Sequence, residues 1–152
     1  MIEKNKKKLS LGDKAPLFTL KNQKGEKISL SNFKNKKNIL LIFYPGDNTP
    51  GCTKQLCALR DDFSKFKKEN TIIFGINHAD HISHQKFIND YNFPFDLLID
   101  TNHQVATKYQ ALKSFFGKTI TARSVVLINK EGLIIYLKRG LPEDKDILAA
   151  LK

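Results

Sequence analysis

The chain has 152 residues, 41% of them hydrophobic, and a formal net charge of +11. That length suits one domain with a real core, and no apolar run approaches the roughly 18–20 residues needed to span a bilayer. The two cysteines are too few for a secreted disulfide scaffold or a four-thiolate zinc site, and no apolar signal core follows the basic opening, so a cytoplasmic location is expected.

Residues 1–8 read as a flexible basic tail. Residues 18–20 and 27–30 suit two short strands joined by a turn at 22–25. Residues 38–44, NILLIFY, form a continuous apolar run ended by Pro45, the pattern of a strand buried on both faces. Residues 53–69 read as one helix, because Leu56, Leu59, Phe63 and Phe66 recur at helical spacing. Residues 71–76 supply a second buried strand. A helix then runs from Asp80 or Ser83 to Tyr91, before Pro94 breaks the chain. Residues 96–99 suit a short strand and 103–109 a short helix. Residues 124–129 and 133–138 form a hairpin around 130–132, and 143–151 close the chain as a helix behind Pro142.

Strands that alternate with helices imply parallel neighbours covered on both faces, and the terminal hairpin supplies antiparallel edges. The expectation is a single α/β domain over residues 1–152, with a central mixed sheet flanked by helices and an N-terminal β-hairpin. The lysines are scattered along the chain, as on a solvated surface, and no basic-aromatic module appears, so no specific nucleic-acid partner and no membrane partner are expected. His78, His81 and His84 recur every third residue. On a helix that step spreads them over a broad face with no thiol or carboxylate at matching spacing, so they read as solvated loop and helix histidines, with no metal and no cofactor expected. Arg60 and Asp61 read as ion-pairing support for their helix.

The segment FYPGDNTPGCTKQL, from Phe43 to Leu56, holds Cys52 just behind a Thr-Pro-Gly turn, and Cys57 follows five residues later. A helix start lowers a thiol's pKa, because unpaired backbone N–H groups and the dipole favour the thiolate. A thiolate that attacks a peroxide also needs donors for the peroxide oxygens and a cation for the charge released when the O–O bond breaks. Pro45 ends the strand and shields the site from water. Thr49 stands three residues before Cys52, within reach of the thiolate or the peroxide. Gly51 lets backbone N–H groups approach the substrate. Arg123, immediately ahead of the strand 124–129, is the candidate cation at the adjoining sheet end.

The arrangement PxxxTxxC at Pro45, Thr49 and Cys52 resembles the active-site signature of the peroxiredoxins. The longer run FYPGDNTPGCTKQLCALRD resembles their Q-type group, that of the bacterioferritin comigratory protein. The likeness extends to the opening Gly12, Asp13, Ala15, Pro16 and Phe18, to FPFDLL at 93–98 and to RSVVLI at 123–128. It implies a thioredoxin-like fold and a cofactor-free peroxidase that reduces hydrogen peroxide and organic hydroperoxides. It implies Cys52 as the peroxidatic cysteine, oxidised to a sulfenic acid, and Cys57 as the resolver that closes a disulfide with it. Thioredoxin or a similar dithiol would reduce that disulfide. The chain departs from the group at Gln55, where glutamate is frequent, at Val125-Val126 in place of Thr-Phe, and at Asn77-His78. A resolver on the same chain removes the need for a second subunit, so a monomer is expected. A redox-sensing module using the same two thiols is the other reading, and peroxide turnover separates the two.

If Cys52 and Cys57 share one helix, five residues separate them by about 7.5 Å of rise and about 140° of rotation. Their Cα atoms then exceed the roughly 7 Å limit for a disulfide. The helix would have to unwind before the bond could form.

Overall fold

The computed structural model describes residues 8–152. The expected basic tail, residues 1–8, lies outside them except for Lys8. A hairpin opens the fold, with β1 (Thr19–Asn22) antiparallel to β2 (Lys27–Ser29). The centre is built from β3 (Asn38–Phe43), β4 (Thr71–Asn77) and β5 (Asp96–Ile99), which run parallel. Beyond the two-stranded unit of β6 (Leu112–Phe115) and β7 (Lys118–Thr121) come β8 (Ser124–Ile128) and β9 (Ile134–Arg139). The main sheet has seven strands in the order β2-β1-β5-β4-β3-β8-β9. It is mixed, since β8 lies antiparallel to both β3 and β9.

The apolar run 38–44 is explained by its two faces. Ile39, Leu41 and Phe43 enter one core cluster with Phe74, Ile76, Tyr109 and Val126. Leu40, Ile42 and Tyr44 enter the other with Leu56, Leu59, Phe66 and Phe87. Each large apolar side chain so buried stabilises the fold by about 1.5–3 kcal/mol. The second cluster is roofed by α1 (Pro50–Asp61), α2 (Phe63–Lys68), α3 (His81–Tyr91) and α5 (Asp144–Ala149), and the first is covered in part by α4 (Gln104–Lys108). Among the described residues no helix is long and apolar enough to cross a membrane.

The structure differs from the sequence expectation in three places. The helix expected over 53–69 begins earlier, at Pro50, and breaks at Asp62 into α1 and α2. Proline suits the first helical position, where its missing N–H costs nothing. The break leaves the apolar phase intact, so Leu56, Leu59 and Phe66 are all buried and Phe63 is partly so. The hairpin β6–β7 was not expected. Its turn uses Phe116 and Gly117 at φ 50° and 77°, without the Asn-Gly pair that marks such turns in sequence. His84, expected to be solvated, is fully buried, whereas His81 is exposed and His78 packs its ring against His103 at 5.2 Å.

Candidate active site

The chain leaves the sheet at Phe43 and reaches α1 through residues 44–49. Asn48 takes a left-handed φ of 57°, which asparagine tolerates better than most residues. Thr49 is the N-cap of α1 in extended geometry, and its carbonyl accepts the first helical bond from Thr53 N–H at 2.8 Å. Its hydroxyl makes no capping bond and instead donates to the Gly46 carbonyl at 3.1 Å. Pro45 is half-buried at the start of this loop.

Cys52 is the third residue of α1 and is fully buried, in the cluster that holds Tyr44 and Leu56. It lies in the first turn, where backbone N–H groups lack helical partners and negative charge is favoured. Cys57 is half-buried further along the same helix, and both thiols are free. With both on one continuous helix, the separation of about 7.5 Å in rise applies.

Arg123 arrives from the other side of the sheet. The antiparallel register sets Phe43 opposite Ser124, so the residue before Ser124 meets the chain as it leaves β3. The Arg123 backbone is held on both sides: Ala122 N–H donates to Ala111 O at 2.8 Å, and Gly140 N–H to Arg123 O at 3.1 Å. The guanidinium lies against Gly51, where a Cβ would stand 2.6 Å from Nη2. Nη1 donates to Gln55 Oε1 at 3.4 Å, a long contact. Thus Gln55, in the place where glutamate is frequent, still touches the arginine.

Pro45, Thr49, Cys52, Cys57 and Arg123, expected in one region, border one loop and one helix. Beneath the loop lies a polar group that the sequence does not announce. The Asp47 carboxylate accepts from Tyr44 Oη at 2.7 Å, Asn77 Nδ2 at 3.2 Å and Ser83 Oγ at 2.7 Å, and faces His84 Nδ1 at 2.7 Å. Burial pushes Asp47 up, but the bonds and charge of His84, with those of Tyr44 and Ser83, hold it below the ordinary carboxylate value. Burial first, and the neighbouring Asp47 next, push the Tyr44 hydroxyl well above its ordinary range. In sequence Asp47 reads only as a turn former between Gly46 and Asn48.

A groove of about 510 Å³ runs along α1, from Gly51 and Gln55 past Ala58 to Asp62, with residues 141–145 as its far wall. At its end the carboxyls of Asp62 and Asp144 share a hydrogen bond. Burial, then that bond, push Asp144 up to about 7, whereas Asp62 is held below its ordinary value.

Residues 11–137 match the family model of the AhpC/TSA family. The chain is 42% identical over 130 residues to a chloroplastic peroxiredoxin Q of Triticum aestivum, covering 86% of this chain and 59% of that protein. It thus spans about three fifths of that curated relative's length. It is also 42% identical over 130 residues to the bcp peroxiredoxin of Coxiella burnetii, covering 83% of this chain and 85% of that one. Among solved structures, peroxidoxin BcpB of Mycobacterium tuberculosis superposes with a TM-score of 0.85 at 27% identity, over 93% of this chain and 95% of that chain. The bacterioferritin comigratory protein of Xanthomonas campestris gives 0.80 at 25% identity, over 88% and 89%. The chain therefore belongs to the AhpC/TSA family and, within it, to the Q-type peroxiredoxins of the bacterioferritin comigratory protein group, built on a thioredoxin-like fold.

Proposed function

We propose that this chain is a thiol-dependent peroxidase that reduces hydrogen peroxide and organic hydroperoxides with electrons from thioredoxin or a similar dithiol. The observation that carries the reading is the pair of free thiols on α1, with Cys52 in its first turn and Arg123 against the neighbouring Gly51.

The Cys52 thiolate attacks the terminal oxygen of the peroxide. An S–O bond forms, the O–O bond breaks, and the leaving alkoxide takes a proton to depart as an alcohol, or as water from hydrogen peroxide. Arg123 stabilises the departing oxygen. Thr49 donates to Gly46 O in the resting loop, so its lone pairs accept the peroxide O–H and set the O–O bond in line. Pro45 keeps bulk water from the sulfur. Cys57 then attacks the sulfenic sulfur; the S–S bond forms, the S–O bond breaks, and water leaves. Exchange with the external dithiol returns both thiols and oxidises the partner. The cycle runs on thiols alone, without metal or cofactor. We further place it in a monomer in the reducing cytoplasm, where it serves antioxidant defence, because a resolver on the same helix makes a second subunit unnecessary.

The test is turnover of NADPH with thioredoxin, thioredoxin reductase and peroxide. Cys52→Ser should abolish consumption. Cys57→Ser should give one sulfenate-forming turnover and then stop. Normal recycling by Cys57→Ser would overturn the resolver assignment. Light scattering should give a single species near the chain mass of 17.4 kDa.

A further inference from the structure

Past the buried Tyr44, the loop that carries Pro45 and Thr49 is half-buried only as far as Asp47. Asn48, Thr49 and Pro50 are exposed. Its fixed point is Asp47, whose side chain is 4% exposed and whose partners come from three elements: Tyr44 just past β3, Asn77 at the end of β4, and Ser83 and His84 on α3. One carboxylate offers about four lone-pair sites, and here all four are used.

His84 bears on the charge of this group. Its side chain is fully buried. Nε2 lies 2.9 Å from the Leu98 carbonyl, which has no proton to give, so Nε2 donates. Nδ1 lies 2.7 Å from Asp47 Oδ2, an oxygen that already accepts from Ser83. Both ring nitrogens therefore face oxygen atoms, the geometry that a carboxylate–imidazolium pair requires. The groups that face this pair are Tyr44, Asn77, Ser83 and the Leu98 carbonyl.

We propose that Asp47 and His84 are positioning residues for the peroxide reaction: a buried carboxylate–imidazolium pair that fixes the loop bearing Pro45 and Thr49, and with it the first turn of α1, against β4, β5 and α3. The proposal rests on Cys52 being the attacking thiol. Asp47 stands two residues from Pro45 and two from Thr49, so its loss frees both at once. The pair also cancels the charge of a carboxylate held beside Tyr44, a residue of the same core cluster as Cys52.

The test measures the rate of Cys52 sulfenate formation, by dimedone trapping and mass spectrometry, alongside nitrogen NMR of the histidine rings. In the wild type, His84 should show both nitrogens protonated. Asp47→Ala and His84→Leu should slow sulfenate formation by roughly 10- to 100-fold, the range for a displaced reacting group, with the rate of disulfide reduction by thioredoxin unchanged. Asp47→Asn should regain most of the rate lost in Asp47→Ala, because the amide can donate to an unprotonated Nδ1, and its spectrum should show that neutral ring. Ser83→Ala removes one bond to Asp47 and should cost about threefold. It decides the matter if the larger changes prevent folding. A neutral His84 in the wild type overturns the proposal. So do wild-type rates in folded Asp47→Ala and His84→Leu or, where these do not fold, in Ser83→Ala. If Cys52→Ser still reduces peroxide, the reading of Cys52 has failed. If it is dead while the Asp47 and His84 variants run at full speed, only the positioning role has failed.

Discussion

The Arg123 guanidinium occupies the space that a Cβ on Gly51 would fill, 2.6 Å from Nη2. The atom in the way is the far end of a flexible side chain, so Gly51→Ala displaces the arginine rather than the helix. Alanine is also the better helix former, by up to about 1 kcal/mol. Gly51→Ala should therefore fold as stably as the wild type, or more so, while its peroxide rate falls by about tenfold or more. Urea unfolding and a peroxide assay read the two separately. A stable variant with full activity would show that the exact seat of Arg123 is immaterial.

Arg123 itself should matter more. Arg123→Ala removes a preorganised cation, and losses of this kind are on the order of 100- to 1000-fold in rate. Arg123→Lys should recover only part, since an ammonium cannot present two parallel donors. Initial rates over a peroxide series would separate the three proteins. A lysine variant at full rate would reduce Arg123 to a point charge.

Disulfide formation should loosen α1. Cys52 and Cys57 sit on one helix, farther apart than the roughly 7 Å a disulfide spans. Amide exchange over residues 50–60 should accelerate at least about tenfold on oxidation, while the strands β3 and β4 keep their protection. Equal protection of the helix in both states would sink the idea.

The groove end makes stability pH-dependent. Asp144 is raised to about 7, chiefly by burial, so the folded state holds that proton more tightly than the unfolded chain. Its contribution is whole below the ordinary carboxylate range near pH 4 and is lost as pH rises through about 7. Asp62, held below its ordinary value by the bond from Asp144, acts below that window and in the opposite sense. The melting temperature of the wild type should thus fall between about pH 5 and pH 8 relative to Asp144→Asn, which lacks the titration. Parallel melting curves for the two proteins would exclude the effect.

Phe116 is 91% exposed and holds a left-handed φ of 50°. A bulky side chain is strained there, whereas asparagine is at home. Phe116→Asn should raise stability by about 0.5–1 kcal/mol and leave peroxide turnover unchanged. A loss of stability would mean that the aromatic tip packs in solution.

Much of this molecule is legible in the order of its residues, and what is not has identifiable causes. The run 38–44 reads as a doubly buried strand because every side chain from Ile39 to Phe43 is apolar, and β3 is that strand. Periodicity at Leu56, Leu59 and Phe66 finds the helical face but passes over Asp62, because a break that preserves phase leaves no trace in the pattern. The hairpin before Arg123 hides because phenylalanine fills a position where asparagine would announce a turn. His84 looks like His78 and His81 in sequence; its burial depends on Asp47, 37 residues away, and no local pattern carries that distance. Thr49 reads in sequence as a hydroxyl within reach of Cys52, but the bond of that hydroxyl to Gly46 follows from the loop's path.

Leu56 lies between the two cysteines in sequence and is fully buried in the core beneath α1. Any unwinding that joins the thiols must drag this side chain, with Cys52, out of its packing, so closure of the disulfide works against the interior of the protein. A tightly held Leu56 would keep the sulfenic acid waiting, open to a second peroxide that would oxidise it irreversibly to the sulfinic acid. A loosely held one would shorten that wait and weaken the folded state. On the proposed cycle, the firmness with which one leucine is packed would set how well this chain survives high peroxide.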